Sequence, residues 1–332
     1  MKFDRPLREL LSGHPRTILD TKAFTDFEVE SLFRTADRLA SVMDKRGRLV
    51  DSRPLEPKTI ALLFFEPSTR TRVSFQSAAL RLGHQPLVVD LGPSSSMVKG
   101  ESPSDTILNV LAMGPDAMVV RYGPQHGLDA LLPQLPVPVI SGGGGVWAHP
   151  SQALLDAWTI RRELGSLSRK RVVIFGDIIH SRVARSNAEL LSRLGTDVTL
   201  AGPAALLPAP EELAQWGERV SLTLDLDEAL EGADVVMGLR VQLERHTQGL
   251  ADVTTAAEYL KRYGLSRDRL SRLNPHALIL HPGPINYGTE FSTEVAMDPR
   301  SRVLAQVECG VMIRAALLER CLDAIPEKKE RK

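Results

Sequence analysis

From position 26 onward Phe27, Leu32, Phe33, Ala36, Leu39 and Met43 recur at helical spacing, which predicts an amphipathic helix over residues 26–46. The pattern then changes. Thr59-Ile60-Ala61-Leu62-Leu63-Phe64-Phe65 is a continuous apolar run, the signature of a strand buried on both faces of a parallel sheet. Ser68 follows as a candidate N-cap, a helix is predicted from Thr69 to Leu82, and Gly83 stands where it would end. Further strand signals lie at 86–91, 116–120 and 137–140, with a helix at 105–112 and a polar loop at 92–103. A glycine run at 142–145 breaks the pattern. His149-Pro150-Ser151-Gln152 then opens a helix that runs to Leu164. The alternation restarts with strand 171–177, helix 181–194, strands 197–201 and 220–224, helix 227–231, strands 234–238 and 277–281, and a last helix over 303–322. Strands alternating with helices twice over imply an α/β fold of two domains, each a parallel sheet flanked by helices. The hinge is placed in the helix after His149, giving domains 1–150 and 151–302.

Composition agrees with this outline. A chain of 332 residues suggests about two domains at roughly 150 residues each. Lys plus Arg number 41, as do Asp plus Glu, so the net charge is zero. That argues against a nucleic-acid binder acting through a bulk basic surface. Two cysteines, Cys309 and Cys321, are too few for a disulfide framework or a four-thiolate metal site, and read as buried cytosolic thiols. No apolar stretch is long enough for a membrane span, and Met1–Pro6 lacks the apolar core of a signal peptide. The expected compartment is the cytoplasm. The basic residues 328–332 read as a solvated end.

Ser68-Thr69-Arg70-Thr71-Arg72 carries the strongest chemical signal. Hydroxyls and guanidiniums sit at a helix start directly after a buried strand, where free N–H groups and the helix dipole favour a phosphate. Arg70 can grip phosphate oxygens in a bidentate fork. No Walker A sequence occurs, and Lys99-Gly100 reverses its Gly-Lys order, so the anion is read as a phosphorylated small molecule. Gly143-Gly144-Gly145-Val146-Trp147-Ala148 matches a dinucleotide fingerprint loosely. No acidic residue stands at position 168, about 20 positions on, and Pro150 disturbs the helix start, so a flexible glycine turn is the better reading. No pattern suggests a covalent nucleophile, a metal or a cofactor. His149 and Gln152 are three apart at a helix start and can face one ligand. Arg121 ends a strand, where open α/β sheets bind ligands, and Arg182 and Arg240-Val241-Gln242 hold equivalent places in the second half. Singly, each of these is equally consistent with an ordinary structural or surface role.

Ser68–Arg72, Lys99-Gly100-Glu101, His149–Gln152, Arg240–Gln242 and His281-Pro282-Gly283-Pro284 occur in one order, and together they resemble the catalytic chains of the aspartate carbamoyltransferase family. The resemblance runs from about residue 16 to 322. It implies a carbamoyl-phosphate domain, then an aspartate domain, with a C-terminal helix, 303–332, returning to the first. It implies that Ser68, Thr69, Arg70 and Thr71 hold the phosphate, and that Arg121, His149 and Thr71 contact the carbamoyl oxygen. Gln152 and the Pro282 carbonyl would hold the carbamoyl amino group, and Arg182, Arg240 and Gln242 the aspartate carboxylates. Ser95 and Lys99 would reach in from a neighbouring subunit of a homotrimer. Glu66 resembles an interdomain bridge to Arg182 and Arg245. Members of the family also assemble with regulatory or dihydroorotase-type chains. Neither a nucleic acid nor a membrane is expected as a partner.

The chain departs from the family at two points. Ser141-Gly142-Gly143-Gly144-Gly145 replaces the common Asn-Ala-Gly-Asp-Gly, which predicts a looser turn without its acid. Gly283 replaces a leucine seen in some members. The implied reaction joins carbamoyl phosphate and L-aspartate. The alternative is an ornithine or related amino-acid carbamoyltransferase, which shares the phosphate motif. Two arginines favour a dicarboxylate acceptor over one bearing an ammonium. A non-catalytic scaffold subunit predicts damaged motifs, and none is damaged.

Overall fold

The structure, a computed structural model, describes residues 11–42, 56–89, 91, 100–145, 148–241 and 255–323. The chain divides into two compact units. The first comprises Met1–Leu19, Ala23–Gly145 and Val311–Lys332; the second comprises Asp20–Lys22 and Val146–Gly310.

In the first unit, helix α1 (Asp26–Ser41) starts with a capping box. The Thr25 N–H donates to Glu28 Oε2 at 2.8 Å and the Glu28 N–H returns to Thr25 Oγ1 at 3.3 Å. Its buried stripe is Val29, Leu32, Phe33, Ala36 and Leu39. Phe27, expected in that stripe, is 75% exposed and carries Arg34 over its ring at 5.8 Å. It stands two residues before Val29, which on a helix is the opposite face. Met43 lies outside the described residues. Strand β1 (Thr59–Phe64) is buried along its middle and feeds helix α2 (Thr69–Arg81). Strand β2 (Gln85–Val89), helix α3 (Pro103–Ala112), and strands β3 (Ala117–Arg121) and β4 (Val139–Ser141) follow. All pairings are parallel, in the order β2-β1-β3-β4. Ala61, Leu63, Ile107, Met118, Val120 and Leu132 are among the core residues between this sheet and its cover.

The second unit opens with helix α4 (Pro150–Leu164) and continues through β5 (Arg171–Phe175), α5 (Arg182–Arg193), β6 (Asp197–Ala201), β7 (Val220–Thr223), α6 (Leu226–Leu230) and β8 (Val235–Gly238). Helix α7 (Ala256–Tyr263), β9 (Leu278–Leu280), the short α8 (Thr293–Ala296) and the start of α9 (Val303–Leu322) complete it. This sheet is also wholly parallel, in the order β7-β6-β5-β8-β9. Phe175, Leu230, Val236, Ile279, Phe291 and Val295 belong to its core.

The boundary between units falls inside α9. From Val311 onward this helix belongs to the first unit, where Arg320 pairs with Glu28 at 2.6 Å and lies over the Phe24 ring. Arg314 is buried, donates to Ser74 Oγ at 2.9 Å and covers Phe75. The Cys321 thiol donates to the Arg16 carbonyl. Among the described residues no helix is long and apolar enough to cross a membrane.

Candidate active site

Both sheets reverse their strand order at one place. In the first, β2 and β3 flank β1, so the switch lies between β1 and β3; in the second it lies between β5 and β8. Crevices beyond the carboxyl ends of strands at such points are where open α/β sheets bind ligands.

At the first switch, β1 ends at Phe64 and leads through Glu66 to Ser68, the residue before α2. Ser68 makes no side-chain cap bond. Thr69, Arg70 and Arg72 are exposed and Thr71 is buried. The helix start thus presents N–H groups, a hydroxyl and a guanidinium outward, an arrangement suited to an anion. Arg121 ends β3, beside Phe64 in register. Its Nη1 donates to the Gly142 carbonyl at 3.0 Å, and its Nε lies 3.8 Å from Glu66 Oε2. Glu66 therefore meets Arg121 within this unit.

The glycine turn after β4 is firmly held rather than loose. Gly142 N–H donates to Val120 O, Tyr122 N–H to Gly143 O, and Gly143 N–H to Ser141 Oγ. A Cβ on Gly144 would fall 2.8 Å from the Tyr122 ring, so glycine lets that ring close over the turn. The Tyr122 hydroxyl donates to Asp129 at 2.8 Å, so a carboxylate from elsewhere in the chain anchors the ring over the turn.

In the second unit the candidate groups are set in a buried hydrogen-bond network. His149 precedes α4 and is 6% exposed; its N–H donates to Ser186 Oγ on α5. Gln152 sits one turn before the fully buried Asp156 and donates Nε2 to Asp156 Oδ1 at 2.9 Å. Asn187 donates to Asp156 Oδ2 at 2.9 Å, and Gln306 donates to Oδ1 at 2.7 Å. Gln306 Oε1 in turn accepts the His281 N–H at 2.8 Å, which fixes the chain entering Pro282. Gly283 N–H donates to His281 Nδ1, so the His281 proton sits on Nε2 and is directed at Glu290 Oε1, 3.2 Å away. Glu290 is fully buried and also accepts the main-chain N–H groups of Asn286 and Val241.

Arg240, exposed, follows β8 at the second switch point, and half-buried Arg182 opens α5, whose N-cap Ser181 accepts from Ala184 N–H at 3.1 Å. Gly176 permits the close approach of the segments that leave β5 and β8. Its φ is +111°, and a Cβ there would strike the Leu239 carbonyl. Tyr259 is buried, and burial with Asp177 and Glu290 nearby pushes its hydroxyl pKa far up. Ser95, Lys99, Gln242 and Arg245 lie outside the described residues.

Sequence reading did not single out Asp156, Asn187, Gln306 or Glu290. Asp156 alone had a local signal, its place four residues after Gln152 on one helix face.

Two family models match the chain: the carbamoyl-phosphate-binding domain of aspartate/ornithine carbamoyltransferase over residues 16–162, and the Asp/Orn-binding domain over residues 168–321. The aspartate carbamoyltransferase catalytic subunit of Solibacter usitatus is 44% identical over 308 residues, 93% of this chain and 99% of its own. That of Acidothermus cellulolyticus is 46% identical over 94% of this chain and 91% of its own. Among solved structures, aspartate transcarbamoylase from Trypanosoma cruzi in complex with carbamoyl phosphate superposes with a TM-score of 0.80 at 29% identity, over 96% of this chain and all of that one. Ornithine carbamoyltransferase from Pyrococcus furiosus gives 0.79 at 28% identity, over 95% and 99%. The fold is common to both acceptor specificities.

Proposed function

The chain belongs to the aspartate/ornithine carbamoyltransferase family, and from that premise we propose that it transfers the carbamoyl group of carbamoyl phosphate to the amine of L-aspartate. The observation that carries this reading is the Ser68–Thr71 helix start, set beside Arg121 at the switch point of the first sheet. It presents the groups that an acyl phosphate requires.

Ser68, Thr69, Arg70 and Thr71 hold the phosphate, with main-chain N–H groups and the Arg70 guanidinium taking up charge as it leaves. Thr71, Arg121 and His149 donate to the carbamoyl oxygen, on which negative charge grows as the amine adds. Gln152 and the Pro282 carbonyl hold the carbamoyl amino group. Arg182, Arg240 and Gln242 take the two aspartate carboxylates, joined by Lys99. The neutral amine attacks the carbonyl carbon, the carbon–oxygen bond to phosphate breaks, and the departing phosphate accepts the amine proton. Catalysis here is chiefly positioning and charge stabilisation, so no side-chain base is assigned.

We assign the chain to a homotrimer in which Ser95 and Lys99 serve a neighbouring subunit. The supporting observation is that the first unit leaves several aliphatic side chains exposed on two neighbouring elements. Strand β2 is outermost among the described strands, with Leu87 and Val88 more than one-third exposed, and α2 exposes Val73 and Leu80. An open strand edge with exposed aliphatic side chains is suited to cover by another copy. Two free, buried cysteines fit a reducing, cytoplasmic setting; burial pushes the Cys321 thiol up to about 12.

The decisive assay offers aspartate and ornithine as acceptors, alongside native mass measurement of the 36.5 kDa chain. Faster turnover of ornithine would overturn the acceptor assignment. A native mass beyond three chains would reveal further subunits. For the shared site, Lys99→Ala and His149→Ala trimers should each be nearly inactive and should regain activity when dissociated and reassembled together. Inactive hybrids would place both residues in one chain's site.

A further inference from the structure

Asp156 has two carboxylate oxygens and three carboxamide neighbours. Oδ1 accepts from Gln152 Nε2 at 2.9 Å and from Gln306 Nε2 at 2.7 Å, while Oδ2 accepts from Asn187 Nδ2 at 2.9 Å. All four side chains are buried. A carboxylate offers only acceptor sites, so a carboxamide turned towards it presents its NH2 end. Gln152 therefore keeps Nε2 on Asp156 and turns its carbonyl Oε1 away. An amide has two nearly isosteric orientations, and in the other one Gln152 would offer a donor outward. The choice is made by Asp156.

We propose that Asp156 is a positioning residue that makes Gln152 a hydrogen-bond acceptor, and so selects an acyl phosphate whose acyl group carries an N–H. The inference rests on the proposed placement of Gln152 at the carbamoyl amino group and goes beyond it by naming what sets the polarity of that contact. Gln306 extends the same device. Its Nε2 is held by Asp156 and its Oε1 accepts the His281 N–H, so one carboxylate fixes both the Gln152 carbonyl and the chain carrying the Pro282 carbonyl. Both outward groups are then acceptors, matched to the two N–H bonds of a carbamoyl NH2. Acetyl phosphate has a methyl group at that place and would leave both acceptors unpaired, which is how a polar site rejects an isostere.

The test is the ratio of the acetyl phosphate inhibition constant to the carbamoyl phosphate KM, measured at saturating aspartate. Asp156→Leu removes both acceptor oxygens and frees Gln152 to turn over, whereas an asparagine could keep its one oxygen on Gln152 and Gln306 and turn its NH2 to Asn187. The ratio should fall by about ten- to a hundredfold, with acetyl phosphate affinity within about twofold of the unmodified enzyme. Asp156→Leu in a Gln152→Ala background should produce a smaller change than it does alone, the remainder passing through Gln306 to the Pro282 carbonyl. Equal loss of affinity for both acyl phosphates, or fully additive effects in the double variant, would overturn the proposal and leave Asp156 a purely structural group. If Gln152→Ala itself leaves the ratio intact, the placement of Gln152 at the carbamoyl group falls, and this inference falls with it. If Gln152→Ala collapses the ratio and Asp156→Leu does not, only the role of Asp156 falls. Should Asp156→Leu fail to fold, neutron diffraction from crystals of the unmodified protein decides the point: deuterons on the Gln152 atom facing Asp156 support it, and a carbonyl there refutes it.

Discussion

In the first unit Thr69, Arg70 and Arg72 are exposed side chains on a single helix start, whereas in the second Gln152, Asp156, Asn187, Gln306, His281 and Glu290 are buried and tied to one another. The contrast separates two ways of preparing a site. An exposed guanidinium on a helix end gives up little of its hydration when the chain folds, so it serves the ligand at little cost to stability. A buried carboxylate must have every acceptor site used, because an unmet polar group in the interior is expensive. The first half is therefore open to change without unfolding, while the second couples chemistry to folding.

The largest expected effect tests the first half of that contrast. Arg70→Ala should lower turnover about 100- to 1000-fold, corresponding to about 2.7–4 kcal/mol of lost charge stabilisation, while its thermal midpoint stays with that of the unmodified protein. An unfolded Arg70→Ala chain, or one of near-normal activity, would break the comparison. Glu290→Ala should do the reverse. It strands the His281 Nε2–H and the main-chain N–H groups of Asn286 and Val241 in the interior, so urea unfolding should show a loss of about 3 kcal/mol. Arg240→Ala is expected to have a smaller effect than either. The half-saturating aspartate concentration should rise about tenfold or more, with that for carbamoyl phosphate little changed and stability intact. An equal change for both substrates would contradict an aspartate role.

The smallest effect sharpens the comparison with a pair in the second unit that lies outside its buried network. The Arg269 hydrogen bond, opposed by partial desolvation and aided by the charges of Arg269 and Arg272, holds the Asp227 carboxyl below its ordinary value of 3.8. A depressed carboxyl contributes stability that is present above the unfolded pKa and lost as pH falls through the folded one. Asp227→Asn should therefore cost under about 1 kcal/mol at neutral pH, because Asp227 is partly exposed, and the difference should vanish under acid conditions below the ordinary carboxyl range.

Much of the fold was legible because its signals are local. The apolar run of β1, the helix start at Thr69 and the span 303–322 of α9 were all read from consecutive residues and lie where the structure has them. Helix α7 goes unmarked by apolar spacing, although Thr255-Ala256-Ala257-Glu258 spells a capping box, with both of its hydrogen bonds formed. Apolarity alone assigns Phe27 to the buried stripe of α1, and its angle around the helix puts it on the other face. The site divides in the same manner. Ser68–Arg72 is one contiguous motif, so its chemistry is visible in five letters. The ligands of Asp156 stand 31 and 150 positions away as well as four, and no window along the chain contains them.

Helix α9 has a consequence for how the molecule is made. The ribosome delivers residues 23–145 of the first unit early, but the segment from Val311 that supplies Arg314, Arg320 and Cys321 emerges only after the whole second unit. At about 5–20 residues per second this interval lasts on the order of ten to thirty seconds. Throughout it Ser74, Phe75 and Glu28 await partners that do not yet exist, while the second unit, nearly continuous in sequence, has all but three of its residues in one uninterrupted run. The half of the protein that is synthesised first is the half that is finished last, and nascent chains stalled before Val311 should expose it to protease while the released full chain should not.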